Sequence, residues 1–144
     1  MIALLDVNVL IALAWPNHVH HEAAHAWYSG YRENGWATCP VTQAGFVRVS
    51  SNQRVFPAAK TPAEAFGLLQ SITALPDHVF LVDDVDLSRS TDIHGDKILG
   101  YRQVTDAHVL AIATSRGAAV ATFDRGLKHL VPSDCAAFVI EIPV

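Results

Sequence analysis

The sequence predicts an α/β fold in which a mostly parallel sheet is covered by helices on both faces. Short apolar runs alternate along the chain with longer segments whose apolar residues recur at helical spacing. Strands buried on both faces have continuous apolar sequences, and two parallel strands need a crossover connection, usually a helix, between them. Proline, glycine or asparagine follows several of the segments, as expected where helices and strands end.

Five short apolar runs are predicted to be strands. They are residues 2–5, 36–39, 79–82, 118–122 and 138–142. Parallel sheets with helices on both faces bind ligands beyond the carboxyl ends of their strands. Polar residues that follow these runs are therefore the first place to search for a functional site.

Five segments between the strands are predicted to be helices. They are residues 8–15, 18–33, 41–51, 61–75 and 105–116, and residues 83–103 are predicted to form a short helix and a loop. Thr61, Pro62 and Glu64 form the strongest start signal, because they combine an N-cap, a first-turn proline and a capping box. Thr105 is the predicted cap of the last helix, which ends at Gly117.

Length and composition predict one globular domain over residues 1–144. The chain is 51% hydrophobic and 17% charged, which excludes an intrinsically disordered protein. Its formal net charge of −4 argues against a protein that coats nucleic acid through general basicity. A small local basic groove remains compatible with this charge.

The sequence predicts a soluble, cytoplasmic protein without membrane contact. The apolar N-terminal run is interrupted by Asp6 and Asn8 and lacks the positive start of a signal peptide. No segment approaches the roughly 20 apolar residues of a membrane-spanning helix. Cys39 and Cys135 lie far apart and form no C-x-x-C motif, so we expect thiols in a reducing compartment.

Three aspartates lie at the ends of apolar elements. Asp6 ends the first predicted strand, Asp106 opens the last predicted helix, and Asp124 follows the fourth predicted strand. Each alone is explained as a helix cap, a first-turn acid or a turn residue. Together they indicate more, because two of them follow strands of one sheet. Carboxylates held close together repel, and one is driven to protonate unless a cation neutralises them.

The chemistry expected of such a cluster is metal-dependent phosphodiester cleavage. Carboxylate oxygens without clustered cysteines favour Mg²⁺ or Mn²⁺ over zinc. A divalent ion of this kind activates water and stabilises the leaving oxygen of a phosphoester. No Ser/His/Asp or Cys/His set stands out in the sequence, and this chemistry needs no side-chain nucleophile.

Three ordered motifs resemble the PIN domain family and, within it, the VapC-type ribonuclease toxins. They are Asp6-Val7-Asn8-Val9-Leu10, Thr105-Asp106-Ala107-His108-Val109-Leu110-Ala111 and Thr122-Phe123-Asp124-Arg125-Gly126-Leu127. The similarity extends over the whole chain in its length, motif order and intervals. Each motif alone is weak, whereas the ordered set is fairly specific.

The resemblance implies a three-layer α/β/α sandwich and an Mg²⁺- or Mn²⁺-dependent endoribonuclease that cleaves RNA, often tRNA or another structured RNA. It further implies neutralisation by a cognate VapB-type antitoxin, and frequent homodimers. Asp6, Asp106 and Asp124 would then be the catalytic metal ligands. Asn8 and Thr122 match the polar positions that support these acids.

The chain departs from the family at one acidic position. Members usually carry a glutamate on the helix after the second strand, where residues 39–48 contain no acid. In one family pattern Gln43 replaces this glutamate, and in another Gly45 does. At about 100° per residue the two positions point nearly opposite ways on a helix, so only one can face the site. The pattern from Thr42 to Arg48 favours Gln43, whose amide keeps an oxygen but loses the charge.

Two alternative functions are open at this stage. A PIN-fold module that binds RNA and antitoxin but barely turns over would explain the missing glutamate. A zinc metalloprotease is suggested by His21-Glu22-x-x-His25 on a predicted helix, although the sequence offers no convincing third ligand.

Arg48 and Arg125 are the arginines nearest in sequence to the predicted site. We therefore predict that they contact RNA phosphates, in which case affinity should fall steeply as salt rises.

Overall fold

The computed structural model describes residues 1–144 and contains one five-stranded sheet. The strands are β1 (Ala3–Leu5), β2 (Trp36–Thr38), β3 (His78–Phe80), β4 (Ala119–Thr122) and β5 (Val139–Glu141). Their order across the sheet is β3-β2-β1-β4-β5, and every neighbouring pair is parallel. The predicted parallel sheet is confirmed.

Five α-helices connect and cover the strands. They are α1 (Val7–Ala14), α2 (His21–Tyr31), α3 (Pro40–Ser50), α4 (Pro62–Thr73) and α5 (Val104–Ser115). Short 3₁₀ turns cover Arg32–Asn34, Gly95–Lys97, Tyr101–Gln103, Leu127–Leu130 and Ser133–Phe138. None of the helices combines the length and the apolar character needed to cross a bilayer.

The core has two parts because the sheet is apolar on both faces. On one face α5 contributes Val109, Leu110 and Ile112, which belong to the same buried cluster as Leu4 and Val120 of the sheet. On the other face α1, α3 and α4 cover a cluster that contains the largest buried side chain, Trp36. Helices therefore lie on both sides of the sheet, as in a three-layer α/β/α sandwich.

The strand order reverses between β1 and β4. From β1 the chain proceeds outward through β2 to β3, and it then returns to β4 on the other side of β1 and ends at β5. In open α/β sheets the crevice beyond the carboxyl ends of the strands at such a reversal is the usual ligand site. Asp6 and Asp124 follow the two strands that flank it.

Most sequence-predicted elements are present with their ends shifted by one to three residues. The predicted cap of the last helix is wrong. Thr105 lies inside α5, which begins at Val104, because the 3₁₀ turn Tyr101–Gln103 leads directly into the helix. The capping box predicted at α4 is confirmed. The Thr61 side chain accepts a hydrogen bond from the Glu64 backbone N–H, and the Glu64 side chain accepts one from the Thr61 backbone N–H.

Cys39 and Cys135 are free thiols.

α1 and α3 approach each other closely at Gly45. A Cβ atom built on Gly45 would lie 2.6 Å from the Cγ2 atom of Val7, the first residue of α1. Glycine is normally unfavourable inside a helix because of its backbone entropy. Here it lets the helix that follows β2 pack against the start of α1, directly beside Asp6.

Replacing Gly45 with alanine should lower the free energy of unfolding by about 1–3 kcal/mol, because the new methyl group overpacks the contact with Val7. Gly67→Ala on α4 is the matched control. A Cβ atom there meets nothing within 4 Å, so the same change should stabilise by roughly 0.5–1 kcal/mol. Urea titrations of both variants measure this difference. If Val7→Ala does not relieve the effect of Gly45→Ala in the double variant, the contact is not its cause.

Candidate active site

Asp6 is fixed in orientation by its position between β1 and α1. It is the N-cap residue of α1, and its Oδ1 atom accepts a hydrogen bond of 2.8 Å from the Val7 backbone N–H. Its Oδ2 atom accepts from the Thr122 hydroxyl at 2.7 Å. These bonds stabilise the charged form, but burial and the nearby Asp124 outweigh them and raise the pKa of Asp6.

Thr122 is the central hydrogen-bonding group at the ends of β1 and β4. Its hydroxyl donates to Asp6 and accepts from the Asn8 side-chain amide at 3.2 Å and from the Asp124 backbone N–H at 3.0 Å. The Asn8 side-chain oxygen accepts in turn from the Phe123 backbone N–H at 3.4 Å. One buried hydroxyl thus joins the chain after β1 to the chain after β4.

Asp124 is held by a local turn. Its Oδ1 atom accepts from the Gly126 backbone N–H at 2.7 Å. A Cβ atom on Gly126 would lie 3.1 Å from that same oxygen, so a residue without a side chain suits this close approach. The Asp124 carboxylate is therefore oriented by its own backbone rather than by a basic side chain.

Asp106 belongs to α5, which packs on the face of the sheet opposite to α1. It lies in the first turn of α5 and is half-buried. Burial, together with the charges of Asp6 and Asp124, raises the pKa of Asp106 to about 6. The charges of Asp6 and Asp124 therefore reach Asp106, although a hundred residues separate it from Asp6 in sequence.

The donor set at this place fits a hard divalent cation. It consists of carboxylate oxygens whose mutual repulsion a cation would relieve. The side chains alone do not form a closed metal cage, since no three His, Cys, Asp or Glu residues are arranged to hold an ion between them. Mg²⁺ normally retains several waters and takes only one or two carboxylates, so a partial set of protein ligands is what this ion requires.

Neither candidate for the missing glutamate contacts the three acids. The Gln43 amide donates to the Thr38 hydroxyl at 2.9 Å, and this hydroxyl lies 2.8 Å from Nε2 of His78. Burial lowers the pKa of His78, which suits a neutral ring that accepts the Thr38 hydrogen. Gly45 instead faces α1. The Gln43 amide is thus held at the carboxyl end of β2 without a hydrogen bond to the three acids, and a role for Gln43 in the acidic site stays a prediction.

The two arginines predicted to contact RNA have different surroundings. The Nε atom of Arg125 lies 3.7 Å from Oε1 of Glu141, and the Nζ atom of Lys128 lies 3.4 Å from Oε2 of the same residue. Arg48 is exposed on α3 and forms no ion pair. The sequence analysis did not predict the contacts of Arg125 and Lys128 with Glu141. They arise because the parallel register of β4 and β5 places Glu141 beside Thr122, close to both cations.

His21 and His25 have a structural role. Nδ1 of His21 lies 2.7 Å from the Ala12 carbonyl oxygen, and Nε2 of His25 lies 3.0 Å from that of Leu13. These carbonyls belong to the last turn of α1, whose C=O groups lack partners within the helix. Both rings donate to α1, and no third metal ligand stands beside them. The structure thus explains this motif without a zinc site.

Comparison with known proteins agrees with this architecture. The family model described as "PIN domain" matches residues 3–131. Ribonuclease VapC39 of Mycobacterium tuberculosis is 50% identical over 127 residues, which cover 88% of this chain and 91% of the relative. Ribonuclease VapC38 of the same organism is 50% identical over 128 residues, or 89% of each chain.

A solved structure also shares the fold. It is the crystal structure of VapBC2 from Rickettsia felis bound to a DNA fragment from their promoter, which aligns with a TM-score of 0.61 at 14% identity. The alignment covers 90% of this chain and 93% of the other. At this identity the likeness concerns the fold alone.

Asp106→Asn should stabilise the protein at neutral pH when divalent ions are absent. Because the pKa of Asp106 is raised, the folded state binds more protons than the unfolded chain between about pH 4 and 6. Stability therefore falls as pH rises through this window and stays reduced above it. After allowance for solvent screening, the free energy of unfolding of the variant should exceed that of the wild type by about 1–2 kcal/mol at pH 7.5, and the two should be equal below pH 4.

Urea unfolding across pH in EDTA measures this effect, with the exposed Asp134→Asn as the control. Adding Mg²⁺ should raise the melting temperature of the wild type more than that of Asp106→Asn. If Asp106→Asn were less stable than the wild type at pH 7.5, Asp106 would not carry the repulsion described above.

Proposed function

The chain belongs to the PIN domain family, and we propose that it is a VapC-type endoribonuclease toxin that depends on Mg²⁺ or Mn²⁺. The observation that carries the proposal is the coupling of Asp6, Asp106 and Asp124 at the reversal point of the sheet. It is supported by curated relatives named ribonucleases that share half of its residues over most of its length.

Asp6, Asp106 and Asp124 would supply the negative charge that holds the divalent ion, one or two of them as direct ligands and the others through water. When bound, this ion supplies positive charge for the phosphate oxygens and lowers the pKa of water at the site. Thr122 and Asn8 act as positioning residues, because their hydrogen bonds fix Asp6 and the backbone of Asp124. Asp6 is further held by the first N–H group of α1, so its carboxylate does not have to reorganise when the substrate binds.

The proposed substrate is RNA, with tRNA or another structured RNA as the class that the family resemblance favours. Arg48 and Arg125 are the proposed phosphate contacts. Arg125 immediately follows Asp124, and it would exchange its long contact with Glu141 for a phosphate oxygen of the substrate.

The proposed partner is a cognate VapB-type antitoxin. Support comes from the VapC relatives and from a structural neighbour named as a VapB–VapC assembly. We further propose, on the family resemblance, that the protein forms a homodimer and acts in the cytoplasm.

The second candidate function is a PIN-fold module that binds RNA and antitoxin but turns over poorly. The observation that favours it is Gln43, which stands where the family usually has a glutamate and donates to Thr38 rather than contacting the three acids. The two functions differ in whether the acids present suffice for catalysis.

Asp6→Asn should reduce RNA cleavage by at least about 100-fold, since changes to groups that merely orient metal ligands already cost 10–100-fold. Asp134→Asn, which removes an exposed carboxylate outside the site, should cleave like the wild type. The measurement is the initial rate on total tRNA in Mg²⁺, with EDTA abolishing the wild-type rate. Equal cleavage by the wild type and Asp6→Asn would contradict the proposal.

Gln43→Glu should change the cleavage rate by less than about threefold, because the side chain at position 43 is bonded to Thr38 and makes no hydrogen bond to the three acids. Titrating Mg²⁺ for the wild type and the variant measures both the maximal rate and the midpoint. If the wild type is nearly inactive and Gln43→Glu restores cleavage by tenfold or more, the weakened binding module is the correct function.

A further inference from the structure

The segment between α3 and α4 concentrates positive charge in an acidic protein. Residues 48–60 contain Arg48, Arg54 and Lys60 and no aspartate or glutamate, although the chain as a whole carries −4. The ion pairs in the structure involve His108, Arg116, Arg125 and Lys128. None of these three cations forms an ion pair. Lys60 Nζ lies over the Trp15 ring, so Arg48 and Arg54 are the two cations available to an anion.

This segment is ordered by its own hydrogen bonds. The Asn52 side chain accepts from the Arg54 backbone N–H at 2.9 Å, and the Asn52 carbonyl accepts from two further N–H groups at 3.0 Å. The Lys60 backbone N–H donates to the Ser50 carbonyl at 3.0 Å, which closes the loop onto the end of α3. The cations are consequently carried by a fixed backbone, and binding there need not order a flexible chain.

Two separate depressions lie along this segment. One has a volume of about 530 Å³ and is lined only by polar residues, namely Arg48, Ser51, Asn52, Gln53 and Arg54. The other, about 340 Å³, is lined by Trp15, Asn17, Phe56, Pro57 and Ala58. The first depression is shallow, open and cationic, whereas the second is more enclosed and aromatic.

The aromatic depression is built around a stacked pair. The rings of Trp15 and Phe56 lie 4.6 Å apart with an angle of 4° between their planes. The Trp15 indole N–H donates to the Ser50 hydroxyl at 3.2 Å, and Lys60 Nζ lies 6.0 Å from the Trp15 ring. Aromatic rings beside unpaired cations are the combination that binds unpaired nucleotides, by stacking the base and holding the phosphate.

The loop lies within reach of RNA bound at the acidic site. Trp15 caps the carboxyl end of α1, whose other end is capped by Asp6. At 1.5 Å per residue, this helix of eight residues separates the two sites by about 12 Å. A stacked strand rises about 3.4 Å per nucleotide, so roughly three to four nucleotides span the separation.

We propose that the end of α3 and the α3–α4 loop form a second RNA-binding site, which takes an unpaired segment of the substrate a few nucleotides from the cleaved bond. Arg48 and Arg54 hold its phosphates, and a base stacks on the face of the Phe56 ring that is turned away from Trp15. This inference rests on the proposed function, because it concerns a second contact with the same RNA.

The test measures binding of a fluorescein-labelled oligouridine to the wild-type protein in EDTA, by anisotropy across a KCl series. Arg48→Ala/Arg54→Ala should weaken binding by about tenfold near 100 mM salt and lower the salt slope by about 1.4, the value for two phosphate contacts with a single strand. Arg32→Ala/Arg89→Ala removes two exposed arginines outside the loop and should change neither quantity.

Phe56→Leu separates stacking from charge. It should weaken oligouridine binding by roughly tenfold without changing the salt slope. A blunt RNA duplex should be insensitive to this variant, because its bases are not available for stacking. Circular dichroism of each variant checks that the fold is retained.

Three results would overturn the inference: equal losses in the two double-arginine variants, an equal loss of duplex and oligouridine binding in Phe56→Leu, or unchanged oligouridine binding in Arg48→Ala/Arg54→Ala. Cleavage by the wild type in Mg²⁺ is measured separately. If cleavage is absent while the loop variants still weaken RNA binding, the nuclease proposal fails and the second site stands. If cleavage is present and the loop variants bind normally, only the second site fails.

Discussion

Electrostatic repulsion among Asp6, Asp106 and Asp124 is the constraint on which the site depends. Burial raises the pKa of Asp106 first, and the negative charges of Asp6 and Asp124 raise it further, so the folded chain holds the three acids where their ionised forms are disfavoured. The arrangement persists because each acid is attached to a well-packed element. Asp6 and Asp124 follow central strands, and Asp106 lies in the first turn of α5, whose apolar residues are buried in the core. Hydrophobic burial thus offsets an unfavourable charge arrangement that a divalent cation would relieve.

The Thr122 hydroxyl links fold and site. It satisfies Asp6, Asn8 and the Asp124 backbone at once, so the ends of β1 and β4 are joined by side-chain bonds where the backbone ladder ends. The histidines of α2 serve the opposite end of α1, where His21 and His25 donate to its last carbonyls. α1 is therefore anchored at both ends, by an acid at its amino end and by imidazoles at its carboxyl end, which also suits the direction of the helix dipole.

Charge is distributed in two separate regions rather than spread evenly. The acids gather at the crevice between β1 and β4, while unpaired cations gather on the loop after α3. A net charge of −4 argues against general binding to nucleic acid, but it does not describe the charge of either region. In the proposed function, RNA that approaches the acidic group needs favourable contacts elsewhere, and the end of α3 with the loop that follows it offers unpaired arginines to make them.

The sequence by itself determined the order of strands and helices, because apolar periodicity and end signals such as Thr61-Pro62-Ala63-Glu64 act within a few residues. It also singled out the three aspartates as candidate site residues, since each lies at the end of an apolar element. Only the tertiary structure decided which groups meet across the fold. It turned Gln43 toward Thr38, set Gly45 against Val7, directed His21 and His25 to the end of α1, and brought a 3₁₀ turn up to Thr105 so that it could not serve as a cap. These outcomes depend on contacts between elements distant in sequence, and local spacing carries no information about them.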